Sequence, residues 1–305
     1  MHGDALTVEG AASVRGDTLR AGDCHLQFFA AFLREKEGRF AHALALCEKF
    51  DKLCRDENFN PVRKASDIRD GVVNALLTVE EGGAIEGSLN KLETLYERGV
   101  RLMTLIWNYP NEIGYPSFPD YEGLSGGNSS PYMREKERGL TCFGRETVER
   151  MVELGMIVDV SHGSDKLVSD VYEICRRKGT FVASHSGAAA VCPWARNLED
   201  GQIRMIADCG GVIGLDFCAD FLSENISAEG QKEALLVHAR HIMNVGGEDV
   251  LALGSDFDGI PENAYMKSPA HVPLLLKEFE KNFGGRIAEK IARKNALRVL
   301  KEVLK

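Results

Sequence analysis

The chain has 305 residues, 44% of them hydrophobic and 27% charged, with a formal net charge of −9. A core of that size needs no disulfide or structural metal to hold it, and an acidic balance without a long Lys/Arg run excludes nucleic acid as a main partner. Eight scattered Cys with no CxxC pair fit a reducing cytoplasm better than a disulfide framework; Met1 runs straight into His2, so no signal peptide is read, and no apolar run reaches the ~18 to 20 residues of a membrane helix.

Short runs of Val, Ile, Leu and Phe alternate with longer amphipathic stretches. In chain order they predict a strand over Leu26–Leu33, a helix over Phe40–Arg55, a strand over Asn74–Val79, a helix over Leu89–Arg98 and a strand over Arg101–Ile106. The next stretch, Asn108–Gly139, is long, polar and rich in Pro, Gly, Asn and Tyr, and reads as a functional loop over the mouth of the fold. The alternation then resumes with helix Glu146–Leu154, strand Ile157–Val160, helix Lys166–Lys178, strand Phe181–Ser184, helix Ile203–Asp208, strand Val212–Phe217, helix Glu229–Asn244 and strand Val250–Leu253. A second polar break at Glu262–Ala270 precedes helices over Val272–Asn282 and Arg286–Lys305; in the last, Ile287, Ile291, Ala296, Val299 and Leu300 recur at helical spacing.

Repeated strand–helix units call for a parallel sheet with helices outside. Seven strands plus a very short start around His2 make eight units, enough to close an α/β (β/α)8 TIM-type barrel as one domain over residues 1–305, its first strand truncated. A doubly wound open sheet is the competing arrangement.

Ionisable residues stand where these strands end. His2 and Asp4 form a His-x-Asp pair, which an extended chain turns to one side. Glu80 follows the second strand, His162 and His185 follow those at 157–160 and 181–184, and Asp256 and Asp258 follow the last. In a barrel these ends converge on one face. Imidazole and carboxylate together suit zinc and related first-row metals. His2, Asp4, Glu80, His162, His185 and Asp256 are too many for one tetrahedral ion but suit two ions sharing a carboxylate and a bridging water acidic enough to attack a carbonyl. A lone His at a strand end is ordinarily a surface or hydrogen-bonded residue, and Asp-Phe-Asp-Gly can be a plain turn; the joint placement carries the reading. His25, His42, His238, His241 and His271 lack it and are read as structural.

Several stretches appear together and in order: His2-Gly-Asp4, Gln27-Phe-Phe29, Val79-Glu80-Glu-Gly-Gly83, Gly99-Val-Arg101, Asp159-Val-Ser-His162, Ser184-His-Ser186, Arg196-Asn197 and Gly254-Ser-Asp-Phe-Asp-Gly259. By these marks the chain resembles the membrane dipeptidase (renal dipeptidase) family of amidohydrolase-type barrel hydrolases. The resemblance implies two zinc ions, other divalent first-row metals being able to fill the same ligands. It places His2, Asp4 and Asp256 on one ion and His162 and His185 on the other, with Glu80, rather than Glu81, as the bridge. It makes Arg196 the grip on the C-terminal carboxylate of a dipeptide, with Asn197 beside it, and Asp256 the residue that moves the proton. It further implies dimerisation and tolerance of a D-residue at the C-terminal side of the substrate. Where vertebrate members carry a stabilising His, this chain has Trp107 followed by Asn108, so Asn108 is expected to donate a hydrogen bond at the substrate. Only Met1 precedes the His-x-Asp pair, so either the true start lies upstream or the site using His2 and Asp4 binds metal more weakly. Two other readings are an amidohydrolase-type enzyme acting on a cyclic amide or lactone and a degenerate, non-catalytic barrel.

Overall fold

The computed structural model describes residues 2–7, 12–35 and 37–305, and of His2 only the backbone. Nine strands fall in the order β1 His2–Gly3, β2 Leu26–Phe32, β3 Asn60–Pro61, β4 Asn74–Glu80, β5 Val100–Thr104, β6 Ile157–Asp159, β7 Phe181–Ser186, β8 Ile213–Asp216 and β9 Leu251–Phe257. They form an α/β fold around a curled parallel sheet, consistent with a TIM-type barrel. Parallel pairings run β1–β2, β2–β4 and on through β9, which pairs again with β1; β3 adds two residues outside β4. Among the described residues, all seven runs read as strands are found. Asn60–Pro61 was not foreseen, because two residues carry no periodicity.

The residues of β4 show why the sheet curls around a packed interior. All seven are buried, as expected of a strand covered on both sides. Ala75, Leu77 and Val79 belong to the large apolar cluster under the helices. Leu76 packs instead with Leu102, Ile157, Val182 and Ala252 from four other strands and with Val212 just before β8. A side-chain period of two therefore sends Leu76, Thr78 and Glu80 to the interior. The interior thus has an apolar floor, a middle level and an acidic top. The middle level is crowded: a Cβ on Gly214 would stand 1.9 Å from Ser184 O, and one on Gly254 would stand 2.5 Å from Gly214 O.

The outer helices bury one face each. In the helix Asp165–Lys178, Leu167, Val168, Val171 and Cys175 are buried, and the Ser164 side chain caps the first turn by accepting from Leu167 N. The continuous helix expected over 286–305 is instead broken into Gly285–Glu289, a π-helical turn Lys290–Lys294, and Asn295–Val303. The wide turn presents the buried Asn295 amide to Glu248 O (2.9 Å) and Leu251 O (2.8 Å), tying this segment to the start of β9. The polar stretch 108–139 also holds a short helix, Tyr121–Ser125, which its composition did not signal. Among the described residues, no helix is long and apolar enough to cross a membrane.

Candidate metal centre and active site

The top of the interior gathers the strand-end residues. Glu80 ends β4, and its carboxylate takes part in two groups of potential ligands. One comprises Glu80, His162 and His185, the other Asp4, Glu80 and Asp256; within each group the ligand atoms lie within 4.8 Å of one another, and every member is buried. The imidazole of His2, expected in the second group, lies outside the described residues. Its backbone pairs with Phe28 of β2 and Ser255 of β9, and Asp4 N donates to Phe257 O at 2.9 Å.

The backbone is bent to make these placements. His162 has φ 67°, Ser255 36° and Asp256 58°, left-handed values uncommon outside glycine. The β7–β8 register shifts between Ala183 and Ser186. This irregularity lets the consecutive residues Ser184 and His185 both reach the interior.

The two imidazoles are oriented from behind. His162 Nδ1 lies 2.8 Å from Asn108 Oδ1, an acceptor, so Nδ1 carries the proton. His185 Nδ1 lies 2.8 Å from Ser184 Oγ, whose own hydrogen goes to Asp159 Oδ2 at 2.6 Å; this Nδ1 is protonated too. Both Nε2 atoms then present lone pairs. They stand 3.0 Å apart, and Glu80 Oε1 is 3.3 Å from one and 3.6 Å from the other. Electron-rich atoms so close repel unless a cation sits among them, so the donor set fits a metal ion. The charges agree: burial, then Asp4, Asp256 and Asp159, push the Glu80 carboxyl well above its usual range, opposed by Arg196. A bound cation would relieve that crowding.

Asp159, the last residue of β6, braces the histidines from below. It is fully buried and accepts from Ser161 N, Ser161 Oγ, Ser184 N, Thr104 Oγ1 and Ser184 Oγ. Glu81 is also buried but serves the scaffold, accepting from Gly83 N, Asn111 Nδ2 and Trp107 N. Asp258 clips the segment before the short helix Gly16–Ala21 through Ser13 N and Val14 N.

Arg196 is buried, and among the described residues its Nε has no hydrogen-bond partner. Nη2 donates to His185 O at 3.2 Å. Burial lowers its pKa, against Asp216, Asp256, Glu80 and Asp159. Asn197 is engaged with backbone: Oδ1 accepts from Gly187 N, and Nδ2 donates to Cys192 O and Phe221 O, which braces the residue next to Arg196. Trp107 lies in an aromatic wall, its ring 4.9 Å from Phe32, 5.5 Å from Tyr121 and 6.1 Å from His162. Of the histidines read as structural, His238 is fully buried, with Nδ1 accepting from Ala188 N and Nε2 facing Leu222 O.

A parallel curled sheet with a carboxylate shared between two ligand groups at its mouth defines the class of metal-dependent barrel hydrolases. Over residues 5–305 the chain matches the family described as membrane dipeptidase (peptidase family M19), and it belongs to that family. It is 30% identical over 297 residues to mouse Dipeptidase 3, covering 94% of this chain; it spans only 57% of that relative's length. A solved structure of dipeptidase AC, a metallo peptidase of family M19, superposes with a TM-score of 0.88 at 27% identity, covering 99% of this chain and 97% of that one. The fold is also that of a metallo peptidase from Rhodobacter sphaeroides liganded with a phosphinate mimic of the dipeptide L-Ala-D-Ala (TM-score 0.85, 24% identity, 99% and 97% covered).

Proposed function

We propose that the chain is a dipeptidase that hydrolyses the peptide bond of a dipeptide with two divalent ions, zinc first among them. Asp4, Glu80 and Asp256, with His2, would hold one ion, and Glu80, His162 and His185 the other. The observation that carries this reading is the shared Glu80, buried and common to both ligand groups. The ions would supply Lewis acidity at the scissile carbonyl and a lowered pKa for the attacking water.

The chain's own residues supply the rest. Asp256 takes the proton of the attacking water and delivers it to the leaving amine. Arg196 receives the C-terminal carboxylate, for which its Nε–H is a ready donor in a buried, charge-assisted site. Asn108, whose Oδ1 orients His162, makes no hydrogen bond through Nδ2 within the described protein, leaving that group to donate to the substrate. The phosphinate-bound relative supports a dipeptide-shaped ligand, with a D-residue at its C-terminal side, as one to test. We read residues 1–305 as one barrel domain whose first strand has two paired residues, working in a reducing compartment that suits eight unpaired cysteines.

Metal analysis after zinc loading, together with hydrolysis of a panel of L,L- and L,D-dipeptides, tests the proposal. About two zinc ions per chain and turnover of at least one dipeptide are expected; a chain that takes up no zinc, or takes it up and cleaves none, overturns it.

A further inference from the structure

Beyond Asn108, the segment 108–139 is fastened so as to connect the two halves of the site. At one end Ser117 N donates to His162 O at 2.7 Å; at the other, Ala195 N donates to Pro131 O at 2.8 Å. Three residues beyond Pro131 stands Arg134, its side chain only 8% exposed. Its Nη2 is 2.5 Å from Asp165 Oδ1 and its Nε is 3.1 Å from Asp165 Oδ2. Nη1 donates to Asn197 O at 2.8 Å and to Trp194 O at 3.4 Å. Those two carbonyls bracket Arg196. Asp165 is itself fixed, since Gln202 Nε2 donates to its Oδ1 at 3.0 Å and its own N–H donates to Glu135 O at 3.0 Å.

We propose that Arg134 is the positioning residue for Arg196: by holding the carbonyls on either side, it aims the guanidinium that receives the substrate's carboxylate. This rests on reading Arg196 as that anchor. The geometry calls for an arginine, because a planar fork with five donors reaches one carboxylate and two carbonyls at once, and a single ammonium does not. Without it, Asn197 O loses its donor, Trp194 O keeps only Asn197 N, and the Asp165 carboxylate keeps only Gln202 Nε2. The 194–197 stretch then relaxes, and a shift of about an ångström at a binding group is enough to cost about a hundredfold. The loop's rings continue the support outward: Tyr132 lies 6.5 Å from Trp194, Trp194 lies 5.2 Å from Phe221, and Arg196 lies 5.5 Å over Phe221.

The test uses the zinc-loaded full chain and whichever of L-Ala-L-Ala and L-Ala-D-Ala it cleaves, each compared with its own C-terminal amide. Wild type should favour the acid, and Arg196→Met should erase that preference. Arg134→Gln should raise KM for the acid by about 10- to 100-fold with a much smaller change in kcat, and leave the amide's kinetics near wild type. Arg134→Lys should not rescue it. If Arg134→Gln does not fold, Asp165→Asn should produce the same selective rise, smaller in size. Loss of the preference in Arg196→Met but not in the Arg134 and Asp165 variants overturns the inference and leaves the anchor standing. An equal fall on acid and amide in those variants overturns it as well, by showing a general defect. No acid preference in wild type, or one that survives Arg196→Met, removes the anchor and the inference with it.

Discussion

Asp159→Asn is the substitution that most directly probes how the centre is held. The side chain keeps its size, but one acceptor oxygen becomes an NH2 group. The oxygen at stake, Oδ2, now receives the hydroxyls of Thr104 and Ser184, both at 2.6 Å. Facing an NH2 group, the Ser184 hydroxyl must accept, and its hydrogen turns toward His185 Nδ1, 2.8 Å away. Nδ1 then becomes the acceptor, and the ring proton moves to Nε2, the atom that faces Glu80 and His162. A protonated Nε2 cannot bind metal. Loss of such an orienting partner typically weakens a metal site by about 10- to 100-fold, or about 1.4 to 2.8 kcal/mol. The group of Asp4, Glu80 and Asp256 does not use this relay and serves as an internal reference. Zinc titration of the variant against a competing chelator should show one site weakened and the other near wild type. Two sites of unchanged affinity would refute the tautomer argument; equal weakening of both would point to general loosening instead. Thr104→Val, which removes a donor to Asp159 but leaves the Ser184 relay, should change the affinity little.

Asp256→Asn should keep metal at the Glu80–His162–His185 group while removing most turnover; a variant with wild-type kcat would take Asp256 out of the proton path. Stripping the metal with a chelator should abolish activity and lower Tm, each site contributing about 4 kcal/mol of stability at a free zinc concentration a thousand times its Kd; Tm unchanged by chelation and by zinc return would contradict a metal held in the barrel mouth. Burial lowers the pKa of His238 from 6.5 to about 4. The fold therefore favours its neutral form, and the stability this brings is complete above pH 6.5 and lost as pH falls toward 4. Between pH 7 and 5 the loss amounts to roughly 2 kcal/mol, and urea midpoints should show His238→Gln with a shallower fall over that interval; the same fall in both proteins would exclude His238 as its source.

Much of this was legible in the sequence because two periodicities carry it. Strands such as Asn74–Glu80 announce themselves by continuous burial-prone residues, and a ligand at the end of such a run is visible as a polar residue where the apolar run stops. What stayed hidden depends on which way a side chain faces within the run. Asp159 lies inside β6 rather than beyond it, and only the alternation with Ile157, counted inward, shows that it meets Ser184 and Thr104. Arg134 was invisible for a different reason. It sits in a polar stretch with no period, and its partners at 165, 194, 197 and 202 come together only through the barrel's closure. The break at Lys290–Lys294 was masked in the opposite way: Ile287, Ile291, Ala296, Val299 and Leu300 keep nearly helical spacing across it, so one inserted residue in the winding leaves the pattern intact.

The pairing of β1 with β9 joins the first strand to the last through two residues, His2 against Ser255 and Gly3 against Phe257. Closing so long a loop is entropically the dearest contact in the sheet, and two residue pairs fasten it. Asp4 lies immediately beyond that seam on the β1 side, and Asp256 lies within it on β9, between Ser255 and Phe257. An ion held between them, as proposed, would work as a latch: it would bind well only with the ring shut, and would hold the ring shut in proportion to its occupancy. The group of Glu80, His162 and His185 comes from β4, the turn after β6 and β7, and needs no such closure. With the proposed ions, assembly would have a built-in order, the inner pocket forming with the middle of the chain and the seam being latched last. Acquiring the metal at the seam and finishing the fold would then be one event.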